Sequence, residues 1–173
     1  MRHLDVLTRN IQDGDEYVAR LTEGAKDLAV LIVVHTLSHV LIRQLCYECG
    51  YSGAALRERL YVYEDHAGVL IYTADADSEG SLGGLVRQGA KERLPGIVSS
   101  ALERAMWCSN DPICREMPPH GPGRTNRAAC HACTLISETS CTLQNALLDR
   151  ALLVGDGTHG AKGFCYDFLK SQA

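Results

Sequence analysis

The most constraining feature of this 173-residue sequence is a segment that cannot form a hydrophobic core by itself. Residues 108–134 contain four prolines and two glycines, a composition that excludes a long helix and predicts an irregular loop. Two pairs of cysteines lie in this segment, Cys108 with Cys114 and Cys130 with Cys133, and 15 residues separate the pairs. The loop therefore needs a cross-link between its cysteine pairs to fix its shape.

The spacing of these four cysteines is typical of a zinc site. Thiolates are favoured zinc ligands, at Zn–S distances of about 2.3 Å, and two cysteines a few residues apart can place both sulfurs on one ion. The chain has eight cysteines, and in a reducing compartment clustered thiols bind metal more often than they form disulfides. We predict that Cys108, Cys114, Cys130 and Cys133 bind one Zn²⁺. Because four thiolates leave no coordination position for water, this zinc is predicted to be structural.

Other roles for the cysteines remain open from the sequence. The same four residues could be buried free thiols, since free cysteine often behaves as a small apolar side chain. Cys46 and Cys49 form another pair, at the end of a predicted helix, and would serve either as ligands or as a redox sensor. Cys141 follows Cys133 by eight residues and is a reserve ligand.

The charge and the apolar stretches limit the classes of partner. The formal net charge is -4 and no run of Lys or Arg occurs, so the basic surface of a typical nucleic-acid-binding domain is not indicated. Any DNA contact is expected to be local or shared with a partner. The most apolar stretch, residues 28–34, is far shorter than the roughly 20 residues of a membrane span. The N-terminus lacks the features of a signal peptide, which predicts a cytoplasmic protein without membrane contact.

The pattern of apolar residues predicts an α+β fold. A long helix is expected at about residues 25–48, followed by Gly50 in the position where helices commonly end in a left-handed residue. Two short runs rich in aromatic and β-branched residues, 60–63 and 69–72, predict a β-hairpin. The small sheet is therefore expected to be antiparallel.

Two further helices are predicted on either side of the cysteine loop. Pro95 suits the first turn of one helix, which runs to about Trp107, and this tryptophan is expected to pack against the metal loop. The other helix is predicted at 138–153, where leucines return at helical spacing. The predicted architecture is a single domain, residues 1–173, with a long helix, a small antiparallel sheet and helices that bracket a loop held by zinc on four cysteines.

A metal-dependent nuclease is the alternative function. His35 and His39 share one helix face, but Thr36 occupies the position where a zinc protease carries its catalytic glutamate. The acidic residues Asp75, Asp77 and Glu79 could bind magnesium, although no base or nucleophile is evident beside them. Such a nuclease would use Asp75, Asp77, Glu79 and the pair His35 and His39. We predict instead that the chain is not an enzyme.

Several short motifs together carry a resemblance to a known family. They are His35-Thr36-Leu37-Ser38-His39, the glycine-rich stretch 78–85, Cys108 to Cys114 with Asp111-Pro112, Ala129-Cys130-His131-Ala132-Cys133, Glu138-Thr139-Ser140-Cys141 and Leu148-Asp149-Arg150. In these motifs the chain resembles the MrfA-like zinc-binding domain family, especially the version at the C-terminus of DrmB proteins. The resemblance covers about residues 30–155.

The resemblance implies a role in a DNA transaction. Members of this family accompany superfamily 2 helicases, either fused to them or carried by a partner protein such as DrmB in the DISARM anti-phage system. The family's four zinc ligands correspond to Cys108, Cys114, Cys130 and Cys133. The resemblance therefore implies a non-catalytic structural-zinc module of a prokaryotic anti-phage defence or DNA repair system. Its expected partner is a superfamily 2 helicase or another defence-complex subunit, with DNA reached through the complex.

Overall fold

The computed structural model describes residues 2–13, 15–25, 27–63, 65–74, 83–155 and 162–172. Within these ranges it contains one two-stranded antiparallel sheet, with helices before and after the two strands in the sequence. This arrangement confirms the predicted α+β class. The elements are α1 (Arg2–Gln12), α2 (Glu16–Leu21), α3 (Leu28–Cys49), β1 (Leu56–Tyr63), β2 (His66–Thr73), α4 (Gly83–Gln88), α5 (Leu94–Ala105), α6 (Ile113–Glu116), α7 (Arg150–Val154) and α8 (Tyr166–Gln172), with 3-10 turns at Pro122–Arg124 and Glu138–Ser140.

Helix α3 is the central element, and it agrees with the long helix predicted at 25–48. Its N-cap is Asp27, whose carboxylate accepts hydrogen bonds from the backbone N–H groups of Ala29 and Val30 at 2.8 and 3.1 Å. It ends at Gly50, which adopts the left-handed conformation with φ 74° and donates to the Cys46 carbonyl. Apolar side chains of α3 pack against α5 and α7 on one side and against α1 and the hairpin on the other.

By length and composition alone, α3 could cross a membrane. Its most apolar window has a mean hydropathy of 1.7, but 67% of that window is buried inside the protein. The core helix of a globular domain meets the same criteria, so this helix is weak support for a span. The prediction of no membrane contact stays a prediction.

The hairpin is confirmed and is longer than predicted. Leu56 lies opposite Thr73 and Tyr63 lies opposite His66, so only two residues join the strands. The sequence pattern missed His66, Ala67 and Gly68, which pair with β1 although they are weak strand formers. Along β1 the residues alternate between buried and exposed, and Glu58 lies on the buried face.

The helix predicted at 138–153 is wrong. Its place is taken by the 3-10 turn, an irregular segment and α7, which begins only at Arg150. Gln144, Asn145 and Leu147 have positive φ angles of 55–58°, which a right-handed helix does not permit. The amide of Asn145 pairs with the backbone of Ile136 in both directions, at 3.1 and 2.9 Å, and so fixes the irregular path. Leu147 and Leu148 therefore reach the core from irregular backbone.

Candidate metal centre

The four cysteines predicted to bind zinc lie together. The sulfur atoms of Cys108 and Cys130 are 3.5 Å apart, those of Cys130 and Cys133 are 3.7 Å apart, and those of Cys114 and Cys133 are 3.8 Å apart. All four sulfurs lie within 4.8 Å of one another. A tetrahedron with Zn–S bonds of about 2.3 Å has edges of about 3.8 Å. The sulfur positions therefore fit one tetrahedral zinc ion.

The surroundings of the sulfurs suit thiolates. The backbone N–H of Asn110 donates a hydrogen bond to the sulfur of Cys108, and the backbone N–H of Cys130 donates one to the sulfur of Cys133, each at 3.4 Å. The Asn110 side-chain amide donates to Cys130, and the Thr134 hydroxyl donates to Cys133 at 3.2 Å. Cys108, Cys114 and Cys133 are buried, which leaves little room for a water ligand. These donors and this burial fit a closed structural site.

The pKa values of three of these thiols differ with their surroundings. Burial raises the pKa of Cys108 to about 11 and raises that of Cys114 further, with the neighbouring sulfurs adding to the effect. Burial also acts on Cys130, but N–H donors from Ala132 and Asn110 outweigh it and lower that pKa to about 6. Without a metal ion, Cys108 and Cys114 stay protonated at neutral pH. A divalent cation that bonds to these sulfurs would deprotonate the thiols.

Arg150 holds the two cysteine pairs in place, a role that the sequence did not reveal. Its guanidinium is buried and donates to the carbonyl of Ala105 at the end of α5 and to that of Ala128, each at 3.0 Å. It also donates to the Asp111 carboxylate at 2.7 Å. The other oxygen of Asp111 accepts the backbone N–H of Cys108 at 3.1 Å. One side chain thus connects α5 with both ends of the loop.

A second group of ligand-type side chains lies in the core. It consists of His35 and His39 from α3, Glu58 from β1 and Cys141, and its ligand atoms also lie within 4.8 Å of one another. The sequence motifs pointed to both histidines and to Cys141 separately, but not to Glu58. The signal that could have found it is strand alternation, which places this charged residue on the same face as Leu56 and Val62.

In the metal-free protein this second group carries opposite charges. Burial opposes protonation of His35, but hydrogen bonds from its ring to Cys141 and Glu58 raise its pKa to about 10. Burial opposes ionisation of Glu58 and Cys141, yet the two histidines lower their pKa values to about 2 and about 6. The group is therefore a buried ionic network around His35.

Cys46 and Cys49, the alternative ligand pair, do not join either group. Among the described residues, the two clusters above are the groups found with three or more close ligand-type side chains, and neither contains Cys46 or Cys49. The acidic residues of the nuclease alternative, Asp75, Asp77 and Glu79, lie outside the described residues. The histidines of that alternative are fully buried.

Comparison with known proteins identifies related sequences. The family model of the MrfA Zn-binding domain matches residues 37–134, a range that contains all four cysteines of the first cluster. The DISARM protein DrmB of Bacillus paralicheniformis (strain ATCC 9945a / NCIMB 11709 / CD-2) is 48% identical over 129 residues. The match covers 75% of this chain and 23% of that protein, so the chain spans less than a quarter of this relative's length. The resemblance seen in the sequence motifs is thereby confirmed.

Proposed function

Because this chain belongs to the MrfA Zn-binding domain family, we propose that it is a non-catalytic structural-zinc module of a prokaryotic anti-phage defence assembly of the DISARM type. In this proposal the module binds a superfamily 2 helicase or another subunit of the assembly and reaches DNA through it. The observation that carries the proposal is the closed four-sulfur cluster inside the region of family similarity. The similarity to a DISARM protein supports defence over DNA repair.

The geometry of the cluster supports a structural zinc over a catalytic one. Four sulfurs at tetrahedral distances complete the coordination sphere, and a hydrolytic zinc would need a position for water. Three of the four sulfurs are buried and their neighbours are hydrogen-bond donors rather than a base or a nucleophile. The zinc would then fix the shape of a loop that presents side chains to a partner.

Exposed apolar side chains beside the cluster support a protein partner. Trp107 and Ile113, which flank Cys108 and Cys114 in sequence, are 71% and 70% exposed. The expectation that Trp107 packs against the metal loop is therefore wrong, because its side chain points to solvent instead. Aromatic side chains of this kind are enriched at the centres of protein interfaces. We infer that the zinc loop presents Trp107 and Ile113 to the partner subunit.

Substitution of these two side chains tests the partner proposal. The double variant Trp107→Ala/Ile113→Ala is expected to weaken binding to a superfamily 2 helicase of the same defence system by at least about tenfold, a typical loss for truncated interface anchors. Binding is measured by calorimetry, with zinc content determined in parallel. Tyr63→Ala, an exposed tyrosine on the hairpin, is the control and should bind normally. Unchanged binding by the double variant, with the helicase or with any other subunit, would contradict the inferred surface.

A cleavage assay separates this function from the nuclease alternative. The purified chain is expected to leave single- and double-stranded DNA intact in the presence of magnesium or manganese, because the proposed zinc site has no position for a reactive water. The products are resolved on a denaturing gel. Metal-dependent cleavage that disappears in Asp75→Ala or Asp77→Ala would replace the module by a nuclease.

A further inference from the structure

The buried group of His35, His39, Glu58 and Cys141 has no role in the function proposed above. Both histidines are fully buried, and Glu58 is 4% exposed, deep beside the central helix. Burying a carboxylate and two imidazoles is costly unless they bind one another or a metal. We propose that these four side chains form a second metal site, which holds one divalent transition-metal ion, with zinc as the best match.

The distances fit four-coordinate zinc. Nε2 of His35 lies 3.2 Å from Oε1 of Glu58 and 3.2 Å from the sulfur of Cys141. Nε2 of His39 lies 3.6 Å from the same oxygen of Glu58. In a tetrahedron with ordinary zinc bond lengths, the nitrogen-to-oxygen edge is about 3.3 Å and the nitrogen-to-sulfur edge is about 3.6 Å. One oxygen, one sulfur and two nitrogens therefore surround a space of the right size.

Both imidazoles direct Nε2 toward the space between the four ligand atoms. Nδ1 of His35 lies 3.3 Å from the Leu147 carbonyl, and Nδ1 of His39 lies 3.1 Å from the Thr134 carbonyl. A carbonyl only accepts hydrogen bonds, so each Nδ1 carries the hydrogen and each Nε2 can present a lone pair. Metal-binding histidines commonly donate their second ring nitrogen to a carbonyl in this way.

An ion pair without metal accounts for only part of the group. A protonated His35 would satisfy Glu58, but Nε2 of His39 is buried and lies 3.6 Å from Oε1 of Glu58, too far for a hydrogen bond. An unsatisfied buried polar atom is costly, and native proteins rarely retain one. A metal ion bonded to Nε2 would remove that cost.

The anionic ligands are also held in place. The Ser38 hydroxyl donates to Oε2 of Glu58, and the Thr142 N–H donates to Oε1 at 3.0 Å. The Asn145 N–H donates to the sulfur of Cys141 at 3.1 Å. Imidazole, carboxylate and thiolate are each ligands that zinc accepts. With four protein ligands and no exposed position, the proposed ion would be structural.

Elemental analysis and native mass spectrometry of the 173-residue chain test the second site. The unaltered chain should carry two zinc ions. His39→Ala and Cys141→Ala should each carry one, and so should Cys114→Ser, which removes the other ion. His66→Ala and Cys165→Ala change a histidine and a cysteine outside both clusters and should keep two. The variants report on the two sites separately. A missing zinc at the four-cysteine cluster would therefore not hide a missing zinc at the group of His35, His39, Glu58 and Cys141.

Two results would overturn this proposal. One is a single zinc per chain that is lost in Cys114→Ser and retained in His39→Ala. The other is two zinc ions that persist in both His39→Ala and Cys141→Ala. If these variants do not fold, cobalt titration of the unaltered chain decides: two equivalents with two different visible spectra support the second site, and one equivalent excludes it.

Discussion

Cys114→Ser is expected to remove the zinc of the four-cysteine cluster and to lower the midpoint of thermal unfolding by at least about 10 °C. Structural zinc contributes on the order of 10 kcal/mol of apparent binding energy in small zinc domains. In a chain of this size, each kcal/mol lost lowers the midpoint by about 2–4 °C. The loop between the cysteine pairs is rich in proline and glycine and has few apolar contacts to replace the ion. Circular dichroism and elemental analysis of the same sample measure both effects.

Cys49→Ser is the matched control for this substitution. Cys49 lies at the end of α3, outside both clusters, and its replacement should change neither the zinc content nor the unfolding midpoint. Equal zinc content in Cys114→Ser and in the unaltered chain would exclude Cys114 as a ligand. Loss of zinc in Cys49→Ser would instead favour the alternative ligand pair at Cys46 and Cys49.

Arg150→Met should destabilise the protein by about 3–5 kcal/mol, because it leaves partners of a buried charge unpaired. The methionine keeps the apolar part of the side chain but removes the bonds to the carbonyls of Ala105 and Ala128 and to the Asp111 carboxylate. Asp111, which accepts the Cys108 N–H, would then keep, among the cations of the described residues, only its longer contact to Arg115 at 3.5 Å. Urea unfolding of the zinc-loaded protein measures the change in free energy.

The size of this effect depends on the burial of Arg150 rather than on charge in general. Arg93→Met removes the same charge at an exposed position at the start of α5 and should change the free energy of unfolding by less than about 0.5 kcal/mol. Arg150→Lys keeps the charge but loses the planar, multiply donating guanidinium, so it should recover only part of the stability. A stability for Arg150→Met equal to that of the unaltered chain would contradict the proposed link between the cysteine pairs.

The elements with strong local patterns could be predicted from the sequence. The long apolar helix had a clear boundary at Gly50, and the hairpin had two separate runs of strand-forming residues. The cysteine pairs could be grouped because their spacing reflects the geometry of one ion. In each case the signal lies within a few residues of the feature that it predicts.

The errors arose where distant contacts override local pattern. The segment at 138–153 has helical spacing of leucines, but the amide of Asn145 binds the backbone of Ile136 and three positive φ angles end any helix. Glu58 and Arg150 are charged residues, a class that is usually found at the surface, yet both are buried. Their burial depends on partners that are distant in sequence. The Thr142 N–H, 84 positions away, donates to Glu58, and Arg150 donates to Asp111, 39 positions away.

The order of the two clusters along the chain has a consequence for how the protein folds. The cysteine cluster closes within a short segment: Cys108 and Cys130 are 22 positions apart in sequence, whereas His35 and Cys141 are 106 positions apart. The shorter loop costs less entropy to close. We therefore expect the cysteine segment to gain its shape before the core around α3, which requires Cys141 from a distant part of the chain. The cluster of His35, His39, Glu58 and Cys141 would then form last and would stabilise the complete fold.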